Sequence, residues 1–151
     1  MEQNTNALVA TNIEGKAISS DSSVFTSEVK KFTTLDLSDK DNQIALYNSL
    51  QECDVRINDI IGQTIEIADL YIEEKPKVDE KTGELSRKFR VIVYDVEGKT
   101  YVSTAYGVYN SLRTIMSIFG NPSKENPIKV VVGKRPYKNT GKESLILTIA
   151  K

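Results

Sequence analysis

The order in which strand-like and helix-like patterns follow one another constrains this chain most. From residue 60 onward, alternating apolar residues mark three strands, then a helix, then two more strands. The first strand runs through Ile65, Ile67, Leu70 and Ile72, with a slipped position at Ala68 and Asp69 that reads as a β-bulge. The second spans residues 87–96, with Phe89, Val91 and Val93 on one face and Lys88, Arg90, Ile92 and Tyr94 on the other. Glu97-Gly98 turns the chain into a third strand at 99–104. Helical spacing of Val108, Leu112, Ile115, Met116 and Phe119 predicts a helix over 106–119, stopped by Gly120 with Pro122 behind it. The last strands fall at 128–135 and 144–150. This order predicts a mainly β fold with helices: a five-stranded Greek-key barrel of the OB-fold type, its helix between strands 3 and 4.

The upstream third reads differently. Residues 1–37 are rich in Ser, Thr and Asn, with apolar residues only in scattered clusters such as Val24-Phe25 and Phe32. Such composition predicts a flexible N-terminal tail whose clusters find their partners on a neighbouring protomer. A helix is expected from Ser38, as its cap, to about residue 52. Ile44, Tyr47, Leu50 and Leu46, Leu50, Cys53 fall at helical spacings and give one apolar stripe. Residues 38–151 then form one OB-fold domain with a leading helix. Residues 73–84, dense in charge and carrying Pro76 and Thr82-Gly83, read as a loop.

Charge is split along the chain. Residues 1–59 carry 5 basic and 10 acidic side chains, whereas residues 60–151 carry 15 and 11. From Ser86 onward, 12 basic residues face only Asp95, Glu97, Glu125 and Glu143, which points to a polyanion partner. One cysteine, Cys53, and no histidine leave no internal disulfide and no His-dependent nucleophilic catalysis, and they argue against zinc. Glycine spacing matches neither a dinucleotide fingerprint nor a P-loop. No cofactor, metal, small-molecule substrate or enzymatic activity is expected. Neither a signal peptide nor an apolar run of membrane-spanning length is read in the sequence, so a cytoplasmic location is expected.

Proteins that grip single strands pair a cationic groove with aromatic rings on which bases stack. The candidate DNA-binding residues are Tyr71, Lys88, Arg90, Tyr94 and Tyr101 on the first three strands, and Lys134, Arg135, Tyr137, Lys138 and Lys142 in and beside the last hairpin. These are the face and one of the loops with which OB-folds hold oligonucleotides. Lys75, Lys77, Lys81 and Arg87 flank the other loop but are offset by Glu73, Glu74, Asp79 and Glu80. Tyr47 and Tyr109 read as packing residues, and Tyr106 is open to either role. A protein-interaction module, or an RNA binder using the same face, are the competing readings.

The segments DIIGQTIEIADLYIEE, TGELSRKFRVIVYDVEGKTYVSTAYGVYNSL and IFGNPSKENPIKVVVGK resemble the single-stranded-DNA-binding proteins of phages and conjugative plasmids of Gram-positive bacteria. The resemblance covers about residues 57–151. It implies an OB-fold that coats and protects single-stranded DNA with little sequence preference, during phage replication or plasmid transfer, without chemistry of its own. Homo-oligomers formed through the N-terminal tail are the expected working form.

Overall fold

In the computed structural model, residues 16–17, 29–136 and 141–151 are described. They form eight strands and two α-helices. In chain order these are β1 (Lys16–Ala17), β2 (Lys30–Thr33), α1 (Lys40–Gln51), β3 (Val55–Arg56), β4 (Thr64–Val78), β5 (Leu85–Asp95), β6 (Thr100–Ser103), α2 (Tyr106–Phe119), β7 (Ile128–Pro136) and β8 (Glu143–Ile149). All strands belong to one curled, mixed sheet. No helix among the described residues is long and apolar enough to cross a membrane.

The sheet is organised by β4. Its first residues pair with β7, from Thr64↔Val131 to Ile67↔Ile128. Past a bulge between Ile67 and Asp69, it pairs with β5 as far as Val78↔Leu85. Residues 71–74 also pair with β2, through Lys31↔Glu73 and Phe32↔Ile72. One strand thus serves two neighbours in succession on one edge, and the bulge supplies the bend that curls the sheet. The parallel β3–β6 pairing is the exception in an otherwise antiparallel sheet. No ladder joins β6 to β8 among the described residues, so the curl is an open, OB-like half-barrel.

The concave side holds the main core. Ile65, Ile67, Leu70 and Ile72 of β4 meet Val91 and Val93 of β5, Val130 and Val132 of β7, and the buried stripe of α2. Each such aliphatic side chain stabilises the fold by about 1.5–3 kcal/mol. Val108, Tyr109, Leu112, Ile115 and Met116 are buried on α2, whereas Phe119 is 55% exposed. The helix therefore turns its end out of the predicted stripe. It lies along β8, where the Leu147 amide donates to Ser111 Oγ at 3.1 Å. The approach is close: a Cβ on Gly107 would sit 2.0 Å from the Leu145 carbonyl oxygen.

Two sequence expectations change here. Residues 73–84 are mostly not loop: β4 and β5 continue as a long two-stranded arm beyond the barrel, with a turn only at 79–84. Part of the stretch read as a tail enters the fold, because β2 joins the β4 edge and Thr33 and Leu35 are buried. The rest of residues 1–28, apart from the Lys16–Ala17 backbone pairing with β2, lies outside the described residues.

α1 crosses the convex side of the sheet. Its cap position is Asp39 rather than Ser38, with no side-chain cap bond, and Ser38 instead donates to the Asp36 carboxylate. Of the expected stripe, Leu46, Leu50 and Cys53 face the sheet, whereas Ile44 and Tyr47 are exposed.

Gly107→Ala tests the α2–β8 contact. It should lower unfolding stability by about 1–3 kcal/mol in chemical denaturation, although alanine is the better helix former. An unchanged midpoint would show that the helix can step away from β8 at no cost.

Candidate nucleic-acid interface

The convex face of β4 and β5 carries Tyr71, Lys88, Arg90 and Tyr94 of the residues that were expected to meet DNA. Tyr71, Ile92 and Tyr94 pack there with Leu35 and Leu46, beneath α1 and the 33–37 segment. Tyr71 is 1% exposed, and its hydroxyl donates to Glu73 Oε1 at 2.6 Å. The Tyr94 hydroxyl shares a 2.6 Å bond with Ser49 Oγ of α1. Tyr101 belongs to the concave core and donates to Asp95 Oδ2 at 2.9 Å. Burial, ahead of any charge effect, pushes the Tyr94 and Tyr101 phenols up to about 12, so both stay protonated. As placed, none of the three rings offers a face to a base. Packing replaces their expected stacking role, because each phenol has a polar partner that makes burial tolerable.

Arg90 is engaged as well. One guanidinium nitrogen donates to the Leu50 carbonyl oxygen and another to Glu73 Oε1, both at 3.2 Å. Arg90 thus ties the end of α1 to the sheet. Burial alone would raise the Glu73 carboxyl. The hydrogen bonds from Tyr71 and Lys75 and the Arg90 charge outweigh it and hold the group below its usual value.

Several exposed cations lie on the two hairpins. On the convex side of the arm, Lys75 stands directly opposite Lys88. Like charges in that register repel, and Glu73 Oε2, 3.2 Å from Lys75 Nζ, offsets part of the repulsion. On the other hairpin Lys134 pairs with Glu143 at 3.5 Å, and Lys134, Arg135 and Lys142 are all exposed. Tyr137 and Lys138 lie outside the described residues.

Between these hairpins is an aromatic group that the site assignment from sequence left out. Phe89, on the concave face of β5, lies 4.2 Å from the Tyr109 ring and 5.2 Å from Tyr106, centroid to centroid. Tyr106 and Tyr109 are 5.9 Å apart in the first turn of α2. Tyr106 is 53% exposed, whereas Tyr109 is buried. Gly107 sets this turn against Leu145, the register partner of Lys134. The cluster thus sits where arm, helix and last hairpin converge. Tyr106 is a solvent-facing ring braced from behind by two others, the form a base-stacking platform takes. The spacing of Tyr106, Tyr109 and Arg113 along one helix face was the available signal.

Residues 25–150 match the family described as phage single-stranded DNA-binding protein. The chain belongs to that family. It is a phage single-strand binder, acting on single-stranded DNA in phage replication. No curated protein and no solved structure matches it. For this phage binder, the convex face at Tyr71 and Tyr94 is covered, while Tyr106 and the cations Lys88, Lys134, Arg135 and Lys142 are exposed.

Tyr94→Phe separates packing from binding. Losing the bond to Ser49 should reduce stability by about 0.5–1.5 kcal/mol and leave oligo-dT affinity unchanged. A parallel fall in affinity would return Tyr94 to the interface.

Proposed function

We propose that single-stranded DNA runs across the junction of the two hairpins, with a base on Tyr106 and phosphates at Lys88, Lys134, Arg135 and Lys142. The exposed Tyr106, braced by Phe89 and Tyr109, is the observation that carries this path. Tyr137 and Lys138, in the last hairpin, are proposed as further contacts from their sequence position. The underlying architecture is read as a Greek-key OB barrel with α2 at its seam. Its long β4–β5 arm corresponds to the first of the two loops that flank OB ligands. Stacking accepts any base and phosphate contacts read none, so sequence preference is weak. The protein acts by coating and shielding the strand, with no chemical step. The same action would serve plasmid transfer.

The test is fluorescence anisotropy with labelled oligo-dT, a matched duplex and a matched RNA across a salt series. Tight oligo-dT binding that weakens with salt is expected. Tyr106→Ala should cost about 1–3 kcal/mol of affinity, and Tyr106→Phe should keep most of it. Arg135→Ala should flatten the salt slope by about 0.7. Full affinity in Tyr106→Ala would refute the path, and equal duplex affinity would refute strand selectivity.

We propose in addition that residues 1–28 join protomers along DNA. They carry apolar residues such as Val24 and Phe25 amid a polar, net acidic sequence, and could meet the basic half of a neighbour. Deleting residues 1–28, which spares the buried Thr33 and Leu35, should lower the mass of complexes on long single strands in light scattering. Unchanged mass would dismiss the idea.

A further inference from the structure

Glu73 and Glu74 are adjacent on β4 and point to opposite faces of the arm, and each holds an arginine of β5. Glu73 takes Arg90 on the convex face, and Glu74 Oε2 takes Arg87 Nε on the concave face. The second pair reaches further. Glu74 Oε1 accepts from the Tyr109 hydroxyl at 2.9 Å, and that hydroxyl accepts from Arg113 Nη1 at 3.1 Å. The Arg113 guanidinium carbon also lies 5.7 Å from the Tyr109 ring centroid. A guanidinium and a phenol, backed by a second guanidinium, therefore converge on one carboxylate. That carboxylate lies against the ring that braces Tyr106.

We propose that Arg87, Tyr109 and Arg113 form a phosphodiester subsite whose place in the free protein is held by the Glu74 carboxylate. The inference rests on the single-strand path described above. A carboxylate and the two non-bridging oxygens of a phosphodiester both carry one negative charge across a pair of oxygens. Both suit the arginine donor fork. The side chain of Glu74 is 16% exposed and that of Arg87 34%, so an incoming strand reaches the pair from solvent. The exchange requires only that Glu74 rotate outward.

The swap has a distinctive salt signature. A phosphate that meets a cation releases counterions, and this is the origin of the salt slope. Here the displaced Glu74 becomes a bare anion and recruits a cation in turn, so the subsite adds little to the slope. Its role is discrimination. A ligand has to offer a better anion than the one already present, which disfavours weak polyanions and holds the arginines in place while the site is empty.

The decisive measurement is oligo-dT anisotropy across a salt series for Glu74→Gln, Arg87→Ala and the double variant. Glu74→Gln should bind up to about fivefold more tightly at low salt, with a slope steeper by about 0.7. That gain should vanish in the Arg87→Ala background. Unchanged or weaker binding by Glu74→Gln would overturn the subsite, as would a gain that survives without Arg87. Should Glu74→Gln fail to fold, Arg87→Ala alone decides. Weaker binding at an unchanged slope is expected, and a slope flatter by about 0.7 would mark Arg87 as an ordinary surface cation. Absence of any oligo-dT binding by the wild type would instead remove the single-strand path, and the subsite with it.

Discussion

The bulge between Ile67 and Asp69 is the constraint on which the remaining architecture hangs. Before it, β4 pairs with β7; after it, the same edge is free to receive β2, while β5 runs along the other edge. Without that single inserted residue, the apolar set Ile65, Ile67, Leu70, Ile72 would fall on alternate faces and the concave core would lose half of its longest wall. The curl also determines what becomes accessible. It brings the base of the arm and the last hairpin toward the start of α2, where Phe89, Tyr106 and Tyr109 meet.

Much of the core fold was legible because its signals are apolar and local. The bounds of α2, the slip at Ala68 and the two strands after α2 follow from periodicity and from Gly120, which ends α2 at φ 83°. The arm was hidden by composition. A run such as Glu73-Glu74-Lys75-Pro76-Lys77 looks like a loop, yet its charges find partners across the ladder, Glu73 with Arg90 and Glu74 with Arg87. Cross-strand pairing of opposite charges lets a polar stretch remain a strand. β2 and β3 were missed for another reason: their partners lie far away in sequence, and neither has a periodic pattern of its own.

The strand tyrosines were legible in the sequence, but their burial was not. Tyrosines at alternate positions of a strand report which face they take, but not what later covers that face. α1 does the covering here, held by Ser49 on Tyr94 and by the Leu50 carbonyl oxygen on Arg90. The helix buries few of its own residues and leaves Ile44 and Tyr47 in solvent. Its attachment therefore owes as much to these polar contacts as to apolar packing. The role of Tyr106 stayed open in the sequence because its surroundings come from other elements, Phe89 above all.

The arm also carries an exposed backbone margin. β6 pairs only with residues 91–94 of β5, and among the described residues no strand continues that ladder outward along 85–90. Open margins of this kind invite a second copy to add itself by main-chain bonding. The facing lysines at 75 and 88 make such an addition electrostatically unfavourable, since a second arm would bring the same pair alongside. Many copies crowded side by side on one strand can then remain separate molecules instead of fusing into fibres.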